Sequence, residues 1–456
     1  MKTKRMLSCA GVAALVALLA VTAWAAIGSG YLDEGFGSGG LVRVAVGQGE
    51  LLGFAEQSDG KLIAAGWDTT DGTRRWRIRR FAADGSLDTT FGSSGLVSLF
   101  DGSGSDQVFD VEVDASDRIL LAGYVQTTVE VSQGKGGKTK TETRTVSTVV
   151  RLLADGDLDT SFGDGGVLSL DVLEGRRIDD MLVQPDGKIL LASSVFVTSG
   201  KGKDKTTSTA IAVVRLGTDG GPDTSFGVGG MAVDDVSGDN DVPHLHGLAL
   251  QSDGSILVSF RRSSATWSLV SAWNIARYDS GGARDDSFGV DGIVTEFGLD
   301  HWQVAVDSQD RIVGVGTVSY GINDSDGVLI RYDVDGGRDT SFGDGGVYVT
   351  EISGRDVFIN VAIAAGDQPV MAGGVFPQGG DVWVVDAVTI RLDADGTPDQ
   401  DYGADGISEA SSASDSRADF VRRFLIDGNG DYVVAGESHI INTSGSAQWL
   451  LVRWQQ

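Results

Sequence analysis

The chain has only 4 histidines and a single cysteine, Cys9, whereas acidic residues are abundant. The side chains that could perform acid–base chemistry are therefore mainly carboxylic acids, above all aspartates. Asp110, Asp179 and Asp180 lie in short apolar stretches of the kind that form strands. Two carboxylates on either side of a glycosidic bond are the usual catalytic pair of glycoside hydrolysis. The chain has no Gly-x-Ser-x-Gly and no His-Glu-x-x-His motif, so it lacks the common signatures of serine and zinc hydrolases.

A second chemical possibility is zinc binding by a His-x-His pair. His244 and His246 lie close to Asp239 and Asp241. Two imidazoles and a carboxylate are ligands that zinc accepts. Polar loop residues are the simpler interpretation of the same pattern, and we expect no zinc.

Calcium is suggested by aspartate-rich stretches at 333–339, 393–401 and 427–431. Hard cations prefer clustered oxygen ligands, but none of these stretches has the complete twelve-residue loop with its terminal glutamate. Turn hydrogen bonding explains the same residues. We therefore expect no cofactor, with calcium as the open alternative.

A motif of the form Asp-x-x-Phe-Gly recurs along the chain, as in GDLDTSFGDGGVLSL at 156–170. Six copies follow an arginine and an apolar residue, such as Arg151 and Leu152, and the seventh arginine is Arg453 near the end of the chain. We interpret the motif as structural: its glycine permits the turn, its aromatic ring packs between units, and its aspartate accepts hydrogen bonds from turn amides or the arginine. A ligand site repeated in every unit is the alternative. The aromatic positions are Phe36, Phe91, Phe162, Phe226, Phe288, Phe342 and Tyr402.

The segments between these motifs predict an all-β fold. Four short apolar stretches separated by Asp-Gly turns occur in each unit, which is typical of four antiparallel strands. Such a repeat suits the blade of a β-propeller. We predict a seven-bladed β-propeller with four antiparallel strands per blade.

The two ends of the chain predict how the propeller closes. The last unit supplies only three strands, at 419–426, 431–437 and 448–454, whereas a single strand stands alone at 39–46. We expect this N-terminal strand to complete the last blade. Residues 26–456 would then form one domain.

The first 25 residues predict a signal peptide. Lys2, Lys4 and Arg5 precede an apolar run that ends at the small-x-small site Ala23-Trp24-Ala25. We expect export to the periplasm or the extracellular space, without a membrane span after cleavage.

The repeated signature, together with Q-x-DGKIL-x-A, resembles the delta-60 repeat family of exported bacterial proteins over residues 31–454. The resemblance implies β-propellers of unknown function and transfers no catalytic residue to this chain. The sequence departs from the signature at Tyr402 and at 368–373.

Binding residues are expected on the face of the propeller where the loops vary. The position four residues before the end of the inner strand is polar in five of the seven units and glycine in two, and an apolar residue follows it in every unit, which predicts a ligand-binding funnel at the channel mouth. A merely hydrated channel mouth is the alternative. The candidate residues are Asp110, Asp179, Asp180, His246, Trp302, Gln303, Asn360, Arg422 and Arg423.

Two insertions on the same face, 129–146 and 197–210, have alternating sequences that predict projecting hairpins with lysine-rich ends. They are interpreted either as solvated loops or as a docking site for an acidic partner. The net charge of −28 makes nucleic acid and anionic membranes poor partners.

We carry two functional hypotheses. The first is an exported, monomeric, non-enzymatic binding scaffold that engages a protein or polysaccharide through the loop face and the channel mouth. The second is a glycan hydrolase or lyase that uses carboxylates and His246 at the mouth. The lack of a complete acid, base and orienting set favours the scaffold.

Overall fold

The computed structural model describes residues 32–69, 72–100, 106–133, 138–200, 205–236, 242–263, 272–321, 324–350, 352, 354–377, 385–410, 417–440 and 447–456. The predicted signal peptide lies outside these residues. In the described part of the chain, no helix is long and apolar enough to cross a bilayer.

The described chain consists almost entirely of antiparallel strands, as the alternating sequence predicts. Two sheets follow the first strand, each in chain order from the inside outwards. Their strands are β2 (Gly49–Glu56), β3 (Leu62–Asp68), β4 (Arg75–Phe81) and β5 (Leu96–Leu99), then β6 (Gln107–Val113), β7 (Ile119–Gln133), β8 (Lys138–Leu152) and β9 (Val167–Ser169).

The next two sheets repeat this order after a short 3-10 helix at Asp171–Leu173. Their strands are β10 (Ile178–Val183), β11 (Ile189–Ser199), β12 (Thr206–Leu216) and β13 (Met231–Asp234), then β14 (Val242–Leu250), β15 (Ile256–Ser263), β16 (Ala272–Tyr278) and β17 (Ile293–Phe297).

The following eight strands form one continuous sheet. They are β18 (Leu299–Val306), β19 (Ile312–Gly321), β20 (Asp324–Tyr332), β21 (Val347–Val349), β22 (Gly354–Ala364), β23 (Gln368–Pro377), β24 (Asp386–Arg391) and β25 (Ile407–Ala410). The last sheet consists of β26 (Arg417–Ile426), β27 (Tyr432–Ile440), β28 (Ala447–Trp454) and the N-terminal strand β1 (Leu41–Gly47).

The prediction of seven separate blades is wrong. Five sheets are separate four-stranded blades, and the strands expected to form two further blades are joined into the eight-stranded sheet. The junction is a parallel bridge between Ser325 and Arg355. The Ser325 hydroxyl donates a hydrogen bond to the Asp356 carbonyl oxygen at 3.0 Å. A Cβ on Gly327 would lie 2.3 Å from the Phe358 ring, so a glycine there lets β20 and β22 approach closely.

The inner strands contact one another around a central axis. Contacts run from β2 to β6, β10, β14, β18, β22 and β26, and return to β2. Neighbouring sheets pack face to face; for example, Ile63 and Ile78 of one sheet pack with Leu121 and Val150 of the next. Apolar residues on both faces of the sheets therefore form the core.

The predicted closure by the N-terminal strand is confirmed. β1 pairs antiparallel with β28, from Leu41 opposite Val452 to Gly47 opposite Ala447. The Asp33 N–H also donates to the Arg453 carbonyl oxygen at 3.0 Å. The two ends of the described chain are thus hydrogen-bonded into one sheet.

The recurring motif forms a latch in every unit. Each motif aspartate accepts a hydrogen bond from the Nε of an arginine, over 2.7–2.9 Å. The same guanidinium lies 4.5–4.8 Å from the centre of the motif's aromatic ring. All the motif rings are fully buried. The arginines are Arg80, Arg151, Arg215, Arg277, Arg331, Arg391 and Arg453.

The latch also joins neighbouring units. Arg215 donates to the Ser280 carbonyl oxygen of the next unit at 2.5 Å, and Arg453 donates to that of Ala83 at 2.6 Å. Where Tyr402 replaces phenylalanine, Arg391 instead donates to the Tyr432 hydroxyl at 3.1 Å. These contacts account for the motif as a structural joint.

We expect Phe36→Ala to lower the free energy of unfolding by about 3–5 kcal/mol, because it removes a fully buried ring and leaves a cavity at the ring closure. Phe297→Ala is the matched control, since Phe297 is 71% exposed and its loss should change stability little. Urea unfolding followed by circular dichroism measures both. Equal losses in the two variants would contradict the role assigned to the latch.

Candidate functional site

The channel mouth is shaped by a β-bulge in every inner strand. Each inner strand skips one residue in its pairing with the second strand of the unit. A bulge places two residues opposite one and redirects a side chain. The skipped residues are Leu52, Phe109, Asp179, His246, Trp302, Ile359 and Arg422.

These bulges surround a cavity of about 790 Å³. Eight of the predicted candidates line it: Asp110, Asp179, Asp180, His246, Gln303, Asn360, Arg422 and Arg423. The side chain of Trp302, the remaining candidate, lies outside the described part of the structure, although its backbone forms the bulge of β18. The sequence therefore located the residues of one cavity; their role as ligand-binding residues stays a prediction.

Several candidates hold the inner strands together. Asp110 accepts a hydrogen bond from the Met181 N–H of the next inner strand at 2.9 Å, and also from its neighbour Val111 at 3.0 Å. Asp180 accepts from the Leu248 N–H at 2.6 Å. The Gln303 side-chain oxygen Oε1 likewise accepts from the Val361 N–H at 3.0 Å. The oxygens of this polar ring thus satisfy backbone groups beside the bulges.

Arg423 crosses the mouth to the second unit. Its Nη2 donates to the Phe109 carbonyl oxygen at 2.8 Å and lies 3.6 Å from Asp110 Oδ1. Gly53, at the same ring position in β2, has no side chain, and a Cβ there would lie 2.8 Å from the Val111 nitrogen. The glycine therefore lets β2 and β6 approach closely.

Arg422 pairs with a buried carboxylate that sequence reasoning missed. Its Nε lies 3.0 Å from Glu437 Oε2, while Glu437 Oε1 accepts the Leu51 N–H at 3.0 Å. Glu437 is fully buried, and this burial raises its pKa to about 7. Glu437 lies on the second strand of its unit, so a pattern drawn from the inner strands does not include it.

Arg177 lies at the rim of the cavity beside Asp179. Its Nε is 3.2 Å from Asp179 Oδ1, and its guanidinium carbon is 4.0 Å from the centre of the Phe109 ring. Burial lowers the pKa of Arg177 and raises that of Asp179 to about 7. Arg177 just precedes β10, so a pattern confined to the inner strands does not include it.

Glu112 is another carboxyl that was not among the predicted candidates, although the alternation of side chains along the strand could have identified it. It lines the cavity two residues beyond Asp110, on the same side of β6 because side chains alternate along a strand. Burial and the charge of Asp110 raise its pKa to about 8. Burial and Asp110 also raise the pKa of Asp180 well above its usual value. The mouth therefore holds carboxyl groups that keep protons near neutral pH.

Asn360 has an unused donor. Its side chain is 2% exposed and lines the cavity, yet its Nδ2 has no hydrogen-bond partner in the described part of the structure. Leaving a buried donor unsatisfied costs about 1–3 kcal/mol. A ligand oxygen in the cavity could accept this hydrogen bond.

The expectation of no cofactor, with calcium as the alternative, stays a prediction. Within the described ranges, no group of three His, Cys, Asp or Glu side chains is arranged to hold a metal ion. His244 is exposed, whereas His246 lines the channel cavity, and Asp239 and Asp241 lie outside the described residues. In the calcium candidates, the aspartates accept turn amides; Asp333 Oδ1, for example, accepts the Gly337 N–H at 2.8 Å.

A family model described as "Domain of unknown function (DUF5122) beta-propeller" matches residues 57–91, 136–162 and 184–226. The match supports a β-propeller family, while the closer resemblance to the delta-60 repeat family stays a prediction. No curated protein matches the sequence.

Solved structures with a similar chain path include proteins of different activities. A protein of unknown function from Dyadobacter fermentans is 10% identical, with 91% of this chain and 95% of that chain covered and a TM-score of 0.43. A PL25 ulvan lyase bound to -[GlcA(1-4)Rha3S]- is 11% identical, with 90% and 94% covered and a TM-score of 0.48. Drosophila Semaphorin 1a is 9% identical, with 91% and 88% covered and a TM-score of 0.41. No ligand or activity follows for this chain from likeness at this level.

Because the buried carboxyls have raised pKa values, we expect the free energy of unfolding to fall as the pH rises from about 5 to about 8. Glu437, Asp179 and Glu112 have raised pKa values, so they bind protons more tightly in the folded than in the unfolded chain. Their stabilising contribution is complete below the unfolded pKa and is lost as the pH rises through the folded pKa. The latch carboxyls behave oppositely. The hydrogen bond from the Ser161 hydroxyl lowers the pKa of Asp159 and outweighs the opposing effect of burial. The stabilising contribution of Asp159 is therefore lost only in acid.

Melting temperatures measured by calorimetry between pH 4 and pH 8 check this expectation. Glu437→Gln should make the decline shallower, because glutamine keeps an acceptor for the Leu51 N–H and removes the titrating group. A melting temperature that rises over this interval would show that these carboxyls are ionised in the folded protein.

Proposed function

We propose that the protein is an exported, non-enzymatic binding scaffold that holds a segment of a polysaccharide in the channel mouth and against the adjoining loop face. The observation that carries this proposal is the unused, buried Nδ2 of Asn360 in the wall of the cavity. Sugar hydroxyl groups are dense in acceptor oxygens and would satisfy this donor. Export rests on the predicted signal peptide.

The dimensions of the cavity favour a saccharide over a folded protein at this position. Ligand cavities of about 300–1,000 Å³ accommodate small molecules or short segments of polymers. A protein partner would contact the loops around the mouth instead. The polysaccharide is therefore the ligand proposed for the channel.

The hydrogen bonds of the polar ring favour binding over catalysis. Asp110 and Asp180 each accept a backbone N–H of the next inner strand, so the oxygens of these side chains already serve the joint between strands. A mouth that is held in place before the ligand arrives loses little conformational entropy on binding. These features suit a rigid receptor.

One observation favours the second candidate function, a glycan hydrolase or lyase. Asp179 and Glu112 have pKa values raised to about 7 and about 8, mainly by burial. A general acid must hold its proton near the working pH. His246 lines the same cavity and would supply a base.

Asn360→Leu should weaken binding without loss of stability. The protein is first screened on a glycan array, and the affinity of a retained oligosaccharide is then measured by calorimetry. We expect an affinity about tenfold lower, which corresponds to about 1.4 kcal/mol, because one hydrogen bond to the ligand is lost. The free energy of unfolding should stay constant or rise, because an unsatisfied buried donor is removed.

Asn274→Leu is the matched control for this measurement. Asn274 is fully buried, but its Nδ2 donates to Ala272 at 3.1 Å and its Oδ1 accepts from Thr295 at 2.8 Å. This variant should lose stability and keep the affinity. An Asn360→Leu protein that binds normally, or an array that retains no glycan, would contradict the proposed function.

Turnover separates the two candidate functions. We expect no release of reducing ends or unsaturated products when polysaccharides are incubated with the wild-type protein. Cleavage that falls at least about 100-fold in Asp179→Asn or Glu112→Gln, with a pH profile that declines above about pH 7, would instead establish the enzymatic alternative.

A further inference from the structure

Two consecutive arginines connect the channel mouth with the neighbouring loop surface. Arg176 and Arg177 lie just before β10, and their side chains diverge. The guanidinium carbon of Arg176 is 3.5 Å from the centre of the Phe196 ring on β11, and that of Arg177 is 4.0 Å from the centre of the Phe109 ring at the mouth. Stacking on an aromatic face orients a guanidinium and leaves its N–H edge for hydrogen bonds.

The backbone that presents these arginines is fixed between two sheets. The Ser147 hydroxyl of β8 donates to the Arg176 carbonyl oxygen at 2.5 Å, and the Ser193 hydroxyl of β11 donates to that of Arg177 at 2.6 Å. Gly175 has a φ of +73°, and a Cβ there would lie 2.2 Å from the Thr145 carbonyl oxygen. The arginine pair is therefore held in place before any ligand binds.

The guanidinium of Arg176 has N–H groups without a hydrogen-bond acceptor. The Nε and Nη2 atoms of Arg176 are buried and have no hydrogen-bond partner in the part of the chain that the structure describes. Arg177 pairs with Asp179, but 54% of its side chain remains exposed. An unpaired, partly buried guanidinium is expected to bind an anion when one is available.

Two hairpins rise on either side of the pair. β7 and β8 continue beyond the last pairing of β6, from Val125 opposite Val146 to Gln133 opposite Lys138, which corresponds to about 30 Å of two-stranded ribbon. β11 and β12 form a shorter ribbon, from Val195 opposite Ala210 to Ser199 opposite Thr206. These ribbons confirm the predicted projecting hairpins, whose tips at 134–137 and 201–204 lie outside the described residues.

The described parts of the ribbons expose further cations. Arg144 and Lys205 are exposed, and Lys140 is 61% exposed at its side chain although it lies 3.7 Å from Glu142. The whole chain has a net charge of −28, so cations at one place on the surface stand out against an acidic background. These cations lie on or next to the two ribbons, and the first ribbon also carries Glu130 and Glu142.

We propose that Arg176 and Arg177 bind the acidic groups of an anionic polysaccharide, one end of which occupies the channel mouth while the chain continues between the two ribbons. This inference rests on the proposed function and specifies its ligand as a glycan that carries carboxylate or sulfate groups. Guanidinium groups form paired hydrogen bonds with either anion.

Binding should strengthen as the pH falls. The charged or titratable groups around Arg177 are Asp179, Arg423, Tyr124 and Asp110, and those around Arg176 are Glu174 and Asp179. Burial raises the pKa of Asp179 to about 7, so acid neutralises this carboxylate and leaves Arg177 available to the ligand. Below neutral pH the mouth also loses negative charge that would repel an acidic chain.

The experiment compares the double variant R176Q/R177Q with R261Q/R262Q in the full exported chain. Arg261 and Arg262 are also consecutive and lie near the end of β15, on the same face. Each variant replaces two arginines, so both change the net charge equally. The ligands are hexagalacturonate, a sulfated dextran oligomer, an unmodified dextran oligomer and hexaglutamate. Calorimetry at pH 6 and pH 8 gives the affinities, and circular dichroism confirms folding of each variant.

We expect hexagalacturonate or the sulfated oligomer to bind at least tenfold more tightly than dextran, and more tightly at pH 6 than at pH 8. R176Q/R177Q should lower the affinity for the acidic oligomer at least tenfold, and R261Q/R262Q should change it less than twofold. The two acidic arms distinguish carboxylate from sulfate recognition.

Three outcomes would overturn the inference: equal binding of acidic and neutral oligomers, equal effects of the two double variants, or dependence on Arg176 and Arg177 that is seen with hexaglutamate alone. Failure of the proposed function is distinct, because no glycan would then bind and Asn360→Leu would have no binding to reduce. Glycan binding that depends on Asn360 but not on the arginine pair would leave the scaffold proposal standing and refute this inference.

Discussion

The architecture depends on a buried guanidinium that meets three kinds of partner at once. In each unit an arginine donates to the motif aspartate and lies on a buried aromatic ring, and in most units it also reaches a backbone carbonyl of the next unit. Burying a charge is costly unless it is paired and hydrogen-bonded. The complete set of partners compensates this cost and fixes the position of the next sheet. The same contacts join Arg453 to Asp33, across 420 positions of the chain, so closure uses the joint that links neighbouring units.

The channel mouth follows from a second constraint, which concerns the backbone. A bulge interrupts the ladder between the first and second strands of each unit and leaves an N–H that needs an acceptor. Asp110, Asp180 and Gln303 provide that acceptor to the following inner strand. A ring of polar residues at a channel mouth is therefore partly a structural requirement. Asn360 Nδ2 and the Nε and Nη2 atoms of Arg176 have no such task among the described residues.

Several groups at or next to the mouth lower the stability of the folded protein. Asn360 keeps a buried donor without a partner, and Glu112 and Glu437 are carboxyls held in surroundings that disfavour their charge. Each feature costs stability in the empty protein. Proteins tolerate such costs where function requires them. The latch supplies the rigidity that lets the mouth retain these unfavourable groups.

The sequence by itself determined the all-β repeat, the closing N-terminal strand, the structural role of the Asp-x-x-Phe-Gly motif and eight of the residues that line the cavity. These features are local or periodic: a turn needs its glycine, a strand alternates, and a repeated motif must have a repeated environment. The alternation could also have identified Glu112. Tertiary structure alone decided the remainder. The joining of two expected blades depends on the approach of β20 to β22. Arg177 lines the mouth from outside the inner strands, and Glu437, on a second strand, pairs with the mouth residue Arg422. Such contacts join residues that no spacing relates, and burial, which sets the pKa values of the mouth, exists only once the sheets have packed around the axis.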